Sequence, residues 1–72
     1  MQEIRNIQDV GYLIKQRRKV LGMTQKDLAG LVGIGNRFIV DLERGKETIE
    51  FGKTLLVLKM IGIKLIPNTE GR

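Results

Sequence analysis

Apolar residues recur along this chain at the three- and four-residue spacing of amphipathic helices, with short polar breaks between the repeats. A glycine stands directly after each repeat, and glycine is common where helices end. Asp9, Thr24 and Thr48, which can cap a helix N-terminus, precede three of the repeats. The pattern predicts a mainly α fold with helices over about Val10–Leu21, Gln25–Val32, Asn36–Arg44 and Thr48–Ile61.

The second and third predicted helices meet at Gly33, which permits the positive φ of a tight turn. Both helices have an apolar face, formed by Leu28, Ala29 and Val32 before the turn and by Ile34, Phe38, Ile39 and Leu42 after it. Such a pair crosses at a steep angle and leaves the N-terminal end of its second helix protruding. A protruding helix end fits the major groove of DNA, which makes the chain a candidate reader of DNA sequence.

The segment Ile63–Ile66 consists mostly of β-forming residues and predicts a short strand after the last helix. A strand needs partners for its N–H and C=O groups. Pairing with the same strand of a second copy about a two-fold axis provides them, and pairing with Glu3–Ile7 of the same chain stays open. Leu56 widens the apolar face of the fourth helix, which suits a dimer core or, as the alternative, a site for another partner. The predicted dimerisation residues are Leu56, Ile63, Leu65 and Ile66.

The length of 72 residues allows one small domain, for which a single core is marginal. The chain contains no Cys and no His, which excludes disulfides and a zinc site and leaves self-association as the reinforcement. It also contains no Ser and no glycine-rich phosphate loop. The sequence therefore predicts no enzyme: it offers no catalytic residues, no metal ligands and no cofactor site.

The net charge of +5 is concentrated in the helix-turn-helix half of the chain. Residues 1–46 hold nine Lys or Arg against five Asp or Glu, whereas residues 47–72 hold four against three. This distribution favours a polyanionic partner such as DNA. The alternative is that the basic cluster at residues 15–19 is only a solvated helix face.

The patterns divide the chain into an N-terminal arm (1–8), a helix-turn-helix domain (9–62), a dimerisation strand (63–67) and a polar tail (68–72). The longest apolar run is much shorter than a membrane span and is flanked by lysines, so no membrane association is expected. No signal-peptide pattern is present, which favours a cytoplasmic protein.

The sequence resembles the lambda-repressor-like (XRE) helix-turn-helix family over about residues 9–66. The matching residues are Arg17, Arg18, Leu21, Gly22, Thr24-Gln25, Leu28-Ala29, Gly33-Ile34, Ile39 and Leu42-Glu43-Arg44-Gly45-Lys46. Within that family, the stretches RFIVDLERGKETIEF and TLLVLKMIGIKL look like the HipB-type antitoxins.

The resemblance implies a mainly α, four- to five-helix lambda-repressor-like domain whose short C-terminal β-strand joins two subunits. It also implies a homodimer that binds an inverted-repeat operator in double-stranded DNA and represses its own operon. A HipA-like kinase toxin, which the antitoxin would neutralise, is the implied protein partner.

Carried over residue by residue, the resemblance assigns Gln25 to a phosphate contact that also braces the third helix, and Asn36 and Arg37 to base edges. Arg37 could pair with guanine O6 and N7. The alternative is that Asn36 and Arg37 are only two polar residues in the exposed first turn of a helix. Many relatives carry Ser where this chain has Gly35. Gly35 can still cap the helix, but its contacts with DNA are limited to the backbone.

Four further positions complete the predicted DNA-binding set together with Thr24, which is chiefly a cap. Lys26 and Lys46 are predicted phosphate contacts, which position a protein without reading sequence. Val40 is predicted to face a thymine methyl, and Asp41 an arginine or cytosine N4. A solvated helix face is the alternative for both.

Glu43 is predicted to be structural, as the acidic partner of Arg17 or Arg18 in the first helix. Phe38, Ile39 and Leu42 are predicted core residues. Two other functions stay open beside the antitoxin: a stand-alone XRE-family transcriptional regulator, and an interaction module whose main role is to neutralise a partner. A neighbouring gene for a kinase-like protein would favour the antitoxin, and an isolated gene the plain regulator.

Overall fold

The computed structural model describes residues 3–67, which contain four α-helices. Their bounds are α1 (Ile7–Val20), α2 (Gln25–Val32), α3 (Asn36–Glu43) and α4 (Phe51–Met60). The predicted mainly α architecture is confirmed, with α2 at its predicted bounds and α3 one residue shorter. The predicted tail, 68–72, and the first two residues of the predicted arm lie outside the described residues.

The turn between α2 and α3 has the predicted geometry. Gly33 adopts the left-handed conformation, with a φ of 81°, and its N–H donates to the carbonyl of Ala29. At the other end of α2, the Thr24 hydroxyl accepts from the Asp27 N–H at 3.0 Å, and the Asp27 carboxylate accepts from the Thr24 N–H at 2.9 Å. This reciprocal capping box fixes where α2 begins.

The predicted starts of α1 and α4 are wrong, because other residues cap these helices. Asn6, not Asp9, caps α1, since its side-chain oxygen accepts from the Asp9 N–H at 2.8 Å. Asp9 therefore lies in the first turn, where a negative charge interacts favourably with the helix dipole. Glu50, not Thr48, caps α4 through the Lys53 N–H. A longer acidic side chain thus takes the capping role expected of the hydroxyl.

The core contains side chains from all four helices. The fully buried apolar residues are Ile14, Leu28, Ile39, Leu42 and Val57, and Val10, Ala29, Leu58 and Ile61 complete their cluster. Phe38, a predicted core residue, is only half-buried and packs against this cluster. The Lys53 ammonium lies 5.8 Å from the centroid of its ring, so Phe38 is shared between the core and a surface cation.

The first helix crosses the end of α3 at very short range. A Cβ added at Gly11 would clash with the backbone carbonyl oxygens of Leu42 and Glu43, the second at 2.8 Å. One turn earlier in α1, the Gln8 side-chain amide donates to the Gly45 carbonyl at 3.1 Å. The absence of a side chain at Gly11 therefore allows α1 to support α3 from behind.

The predicted strand at Ile63–Ile66 is wrong for the single chain, since residues 3–67 contain no strand. The Ile63 N–H donates to the Leu58 carbonyl at 2.9 Å, which ends α4, and the following residues make no ladder. The intrachain alternative is also wrong, because Ile7 already belongs to α1. An isolated extended segment has no partner for its backbone groups within its own chain.

Candidate nucleic-acid interface

A buried ion pair joins the first and third helices. Arg18 donates from Nε to Glu43 Oε2 at 2.6 Å and from Nη2 to Glu43 Oε1 at 3.0 Å. Its third nitrogen, Nη1, donates to the Met23 carbonyl at 2.7 Å. The hydrogen bond to Glu43 raises the pKa of Arg18 above its ordinary value. Of the two predicted partners of Glu43, Arg18 is the correct one, while Arg17 donates from Nε to the Ile61 carbonyl at 2.9 Å.

The second helix joins the same network through its first residue. The Gln25 side-chain amide donates to Glu43 Oε1 at 3.1 Å, so one carboxylate holds the start of α2 against the end of α3. The brace that the sequence resemblance implied for Gln25 is therefore present. Its contact with a DNA phosphate stays a prediction.

The start of α2 presents the ammonium group of Lys26 beside its capping box. Because the Asp27 carboxylate accepts from the Thr24 N–H, the pKa of Asp27 lies below its ordinary value. The Thr24 hydroxyl accepts a hydrogen bond from the Asp27 N–H, which confirms the predicted role of Thr24 as a cap. Lys26 is exposed and pairs with no carboxylate of residues 3–67, so it is available to a phosphate.

The start of α3 is the most open part of the candidate site. Gly35 is the N-cap residue and has no side chain with which to close the helix end. Asn36 and Arg37 follow it, both exposed, and Val40 is half-buried one turn further along. A helix N-terminus attracts anions through its free N–H groups, so this end offers backbone donors and two polar side chains to the same ligand.

Charged residues line one face of α3 and the loop after it. Arg37, Asp41 and Arg44 follow each other at helical spacing, and with Lys46 they line a shallow open depression. Arg37 Nε lies 3.2 Å from Asp41 Oδ1, and Lys46 Nζ lies 3.6 Å from Asp41 Oδ2. The arginine contact predicted for Asp41 is present, and its alternative, a contact with cytosine N4, stays a prediction. The sequence analysis missed Arg44, although its position seven residues after Arg37 would have placed it on this face.

The predicted dimerisation residues belong to another part of the chain. Leu56 on α4 is 41% exposed, and Leu65 and Ile66 beyond it are 45% and 80% exposed. Ile63 is half-buried and packs against the core cluster. Three of the four are therefore free to contact a partner, whereas Ile63 chiefly completes the core of its own chain.

Residues 3–67 contain no group of three or more acidic side chains arranged to hold a metal ion. None of the helices in the described part of the chain combines the length and the apolar character that crossing a membrane requires.

Comparisons with known proteins agree on one family. A family profile described as helix-turn-helix matches residues 14–65. An uncharacterized HTH-type transcriptional regulator, y4mF, of Sinorhizobium fredii (strain NBRC 101917 / NGR234) is 47% identical over 57 residues, which cover 79% of this chain and 75% of the relative.

Solved structures of HipB have the same fold. The HipB–O4 20mer complex matches with a TM-score of 0.86 at 20% identity, over 97% of this chain and 99% of that one. The HipA–HipB–O2–O3 complex matches with a TM-score of 0.83 at 21% identity, over 97% of this chain and 100% of that one.

Proposed function

Because this chain belongs to the XRE-type helix-turn-helix family of transcriptional regulators, we propose that it binds a specific double-stranded DNA operator through α2 and α3. The observation that carries the proposal is the open N-terminal end of α3, where Asn36 and Arg37 project from a helix that is held by the Arg18–Glu43–Gln25 network. A rigid support of this kind is what base reading requires of a protruding helix. The protein acts in the cytoplasm, where its operator lies.

We assign a role to each of the proposed DNA-binding residues. Arg37 reads a guanine, and Asn36 contacts an adjacent base or phosphate. Thr24, Gln25, Lys26 and Lys46 contact phosphates on either side of the groove, which fixes the register of α3 without reading sequence. Gly35 lets the backbone approach the DNA closely, and Val40 faces the groove from the second turn.

The active form is a homodimer on an inverted repeat. In one chain, only the first turn of α3 contacts base edges. A two-fold dimer places two copies of this helix in adjacent major grooves. The exposed apolar side chains of Leu56, Leu65 and Ile66 support this assembly, because a chain of this size gains stability by covering them. The segment 63–66 then pairs with the same segment of the second copy and forms the strand that the single chain lacks.

The finer proposal is that the regulator is the antitoxin of a toxin–antitoxin pair. Its support is the fold shared with HipB, including HipB in the HipA–HipB–O2–O3 complex. The protein partner is then a HipA-like kinase toxin, which the chain neutralises while it represses the operon of both. The alternatives are a stand-alone XRE-family regulator, which the likeness to y4mF equally supports, and a module that mainly neutralises its partner.

Selection from a library of random DNA duplexes tests the operator proposal. We expect the protein to enrich an inverted repeat, whose affinity falls about 100-fold between 50 and 200 mM salt if Lys26 and Lys46 of both subunits together neutralise about four phosphates. Lys26→Gln should reduce the slope of log affinity against log salt by about 0.9 for each subunit, whereas Lys59→Gln, on α4, should leave it unchanged. Failure to enrich any sequence, or an affinity independent of salt, would refute the proposal.

Co-expression separates the antitoxin from the stand-alone regulator. If a HipA-like kinase is encoded beside this gene, the chain should relieve the growth arrest that the kinase causes and should co-elute with it. A gene without such a neighbour, or a kinase whose toxicity the chain does not change, would favour the stand-alone regulator.

A further inference from the structure

Asp41 is an acidic residue on a surface that is proposed to approach DNA phosphates. It shares the face of α3 with Arg37 and Arg44, and its side chain is only 17% exposed. A carboxylate at this place repels every phosphate equally, so it weakens binding to DNA of any sequence. Its contacts with two cationic side chains, Arg37 and Lys46, indicate how it nevertheless favours operator binding.

The Asp41 carboxylate uses each of its oxygens for a different cation. Oδ1 faces Arg37 Nε at 3.2 Å, and Oδ2 faces Lys46 Nζ at 3.6 Å. The Arg37 side chain is 81% exposed, so apart from this contact little holds its long side chain in one direction. With Nε turned toward Asp41, the two terminal nitrogens remain for a bidentate contact with guanine O6 and N7.

We propose that Asp41 is a positioning residue that sets how strongly the protein discriminates its operator from other DNA; this inference rests on the proposed function. Asp41 directs Arg37 toward its base, which favours the operator. It also neutralises part of the charge of Lys46, which lowers the affinity for the phosphates of any DNA, the operator included. The direction of Arg37 is therefore what raises the ratio of specific to nonspecific binding, whereas the neutralised charge lowers both affinities.

The two cationic partners of Asp41 are exposed, Arg37 at 81% and Lys46 at 54%, and ion pairs with exposed partners contribute little to folding. The variant Asp41→Asn keeps the shape of the side chain and removes its charge, and its thermal unfolding should match that of the wild-type chain. Glu47→Gln is the matched control, because it makes the same change of net charge at an exposed residue beside Lys46. Any effect of charge alone then appears in both variants.

The affinities of the full-length variants are measured for two duplexes by fluorescence anisotropy. The first is the duplex that the wild-type chain enriches from a random library, and the second is a scrambled duplex of the same composition. For Asp41→Asn we expect about tenfold tighter binding to the scrambled duplex at 0.1 M salt for each Lys46 that gains a phosphate contact, and therefore about 60-fold tighter binding for the proposed dimer. Because the operator duplex gains the same phosphate contacts, only the lost direction of Arg37 changes the ratio of the two affinities, which should fall about tenfold. Glu47→Gln should keep this ratio within about twofold.

A second background separates the two effects of Asp41. In Lys46→Gln, the further change Asp41→Asn should no longer tighten binding to the scrambled duplex, but it should still relax the base preference at the position that Arg37 reads. An unchanged ratio in Asp41→Asn, with both affinities shifted equally, would overturn the inference and leave the operator proposal intact. If the wild-type chain enriches no sequence, the proposed function fails first, and the inference fails with it.

Discussion

Arg18 and Glu43 form a two-point ion pair, with donor–acceptor distances of 2.6 and 3.0 Å, whose side chains are 9% and 3% exposed. The pair joins the last turn of α1 to the last turn of α3, and Gln25 attaches α2 to the same carboxylate at 3.1 Å. The direction of α3, and with it the candidate base-reading surface, therefore depends on one buried acidic group. Removing one member of a buried pair leaves the other charged and desolvated.

Glu43→Gln should destabilise the fold without changing which DNA sequence is preferred. The amide keeps the shape of the carboxylate but leaves the Arg18 guanidinium without its counter-charge. We expect the free energy of unfolding, measured by urea denaturation, to fall by about 3 kcal/mol. Glu47→Gln, at an exposed position, should change it by less than about 0.5 kcal/mol. A loss below about 1 kcal/mol, or an altered base preference in the folded protein, would contradict the structural role of Glu43.

Two glycines inside helices should respond to alanine in opposite directions. Gly11→Ala places a methyl group against the carbonyl oxygens of Leu42 and Glu43, which are backbone atoms and cannot move aside, so a loss of about 1–3 kcal/mol is expected. At Gly30, in α2, an added Cβ meets no atom of the described residues within 4 Å. Gly30→Ala should therefore stabilise the protein by about 0.5–1 kcal/mol.

Urea denaturation of both alanine variants measures this contrast. If both variants changed the free energy of unfolding equally, helix propensity alone would explain the result. The close crossing of α1 over α3 would then not contribute to the effect at Gly11.

The helices could be predicted from sequence because their signals are local. Gly33 and the pair Thr24 and Asp27 act within a few residues of chain, so the turn and the start of α2 follow from the sequence pattern. The starts of α1 and α4 could not, because several neighbouring residues are able to cap and only the packed structure decides between them. In the structure, Asn6 caps α1 and Glu50 caps α4.

Long-range contacts were harder to predict, and so was the last segment. That Glu43 pairs with a basic residue of α1 could be predicted from its charge, but the choice of Arg18 depends on the direction of each side chain in the folded chain. Residues 63–66 have the composition of a strand but form none, since nothing in residues 3–67 pairs with them. The contact of Asp41 with Lys46 depends on how the loop after α3 turns.

The capping box of α2 should make stability depend on pH in the acidic range. The pKa of Asp27 is lower in the folded chain than its ordinary value of 3.8, because its carboxylate accepts from the Thr24 N–H. A lowered folded pKa contributes stability above the ordinary pKa, and this contribution is lost as the pH falls through the folded value.

The variant Asp27→Asn isolates this effect. Thermal unfolding of the wild-type chain and of the variant should differ at pH 6, and the difference should shrink steadily below about pH 4. A difference that stays constant between pH 6 and pH 2 would show that the charge of Asp27 does not contribute.

Arg37→Ala should relax base preference at one symmetric pair of operator positions. A good bidentate contact with guanine contributes about 1–3 kcal/mol of discrimination, so the advantage of the preferred base should fall about 5- to 150-fold there. Repeating the duplex selection with the variant measures this change. If affinity falls equally for all sequences instead, Arg37 contacts a phosphate, and Asn36 is left as the candidate base reader.

The last described residues should decide the oligomeric state. Ending the chain after Lys64 removes Leu65 and Ile66, which are 45% and 80% exposed, but keeps Ile63, which packs on the core. If these residues pair across a two-fold axis, the shortened chain should sediment as a monomer at concentrations where the full chain is a dimer. Ending the chain after Pro67 is the matched control and should leave the dimer intact.

A tight dimer that survives truncation after Lys64 would refute the shared strand. In that case the exposed face of α4 is the remaining candidate interface. Leu56→Asp would then dissociate the dimer. The substitution removes a hydrophobic contact and buries an unpaired carboxylate between the two subunits, which is strongly unfavourable.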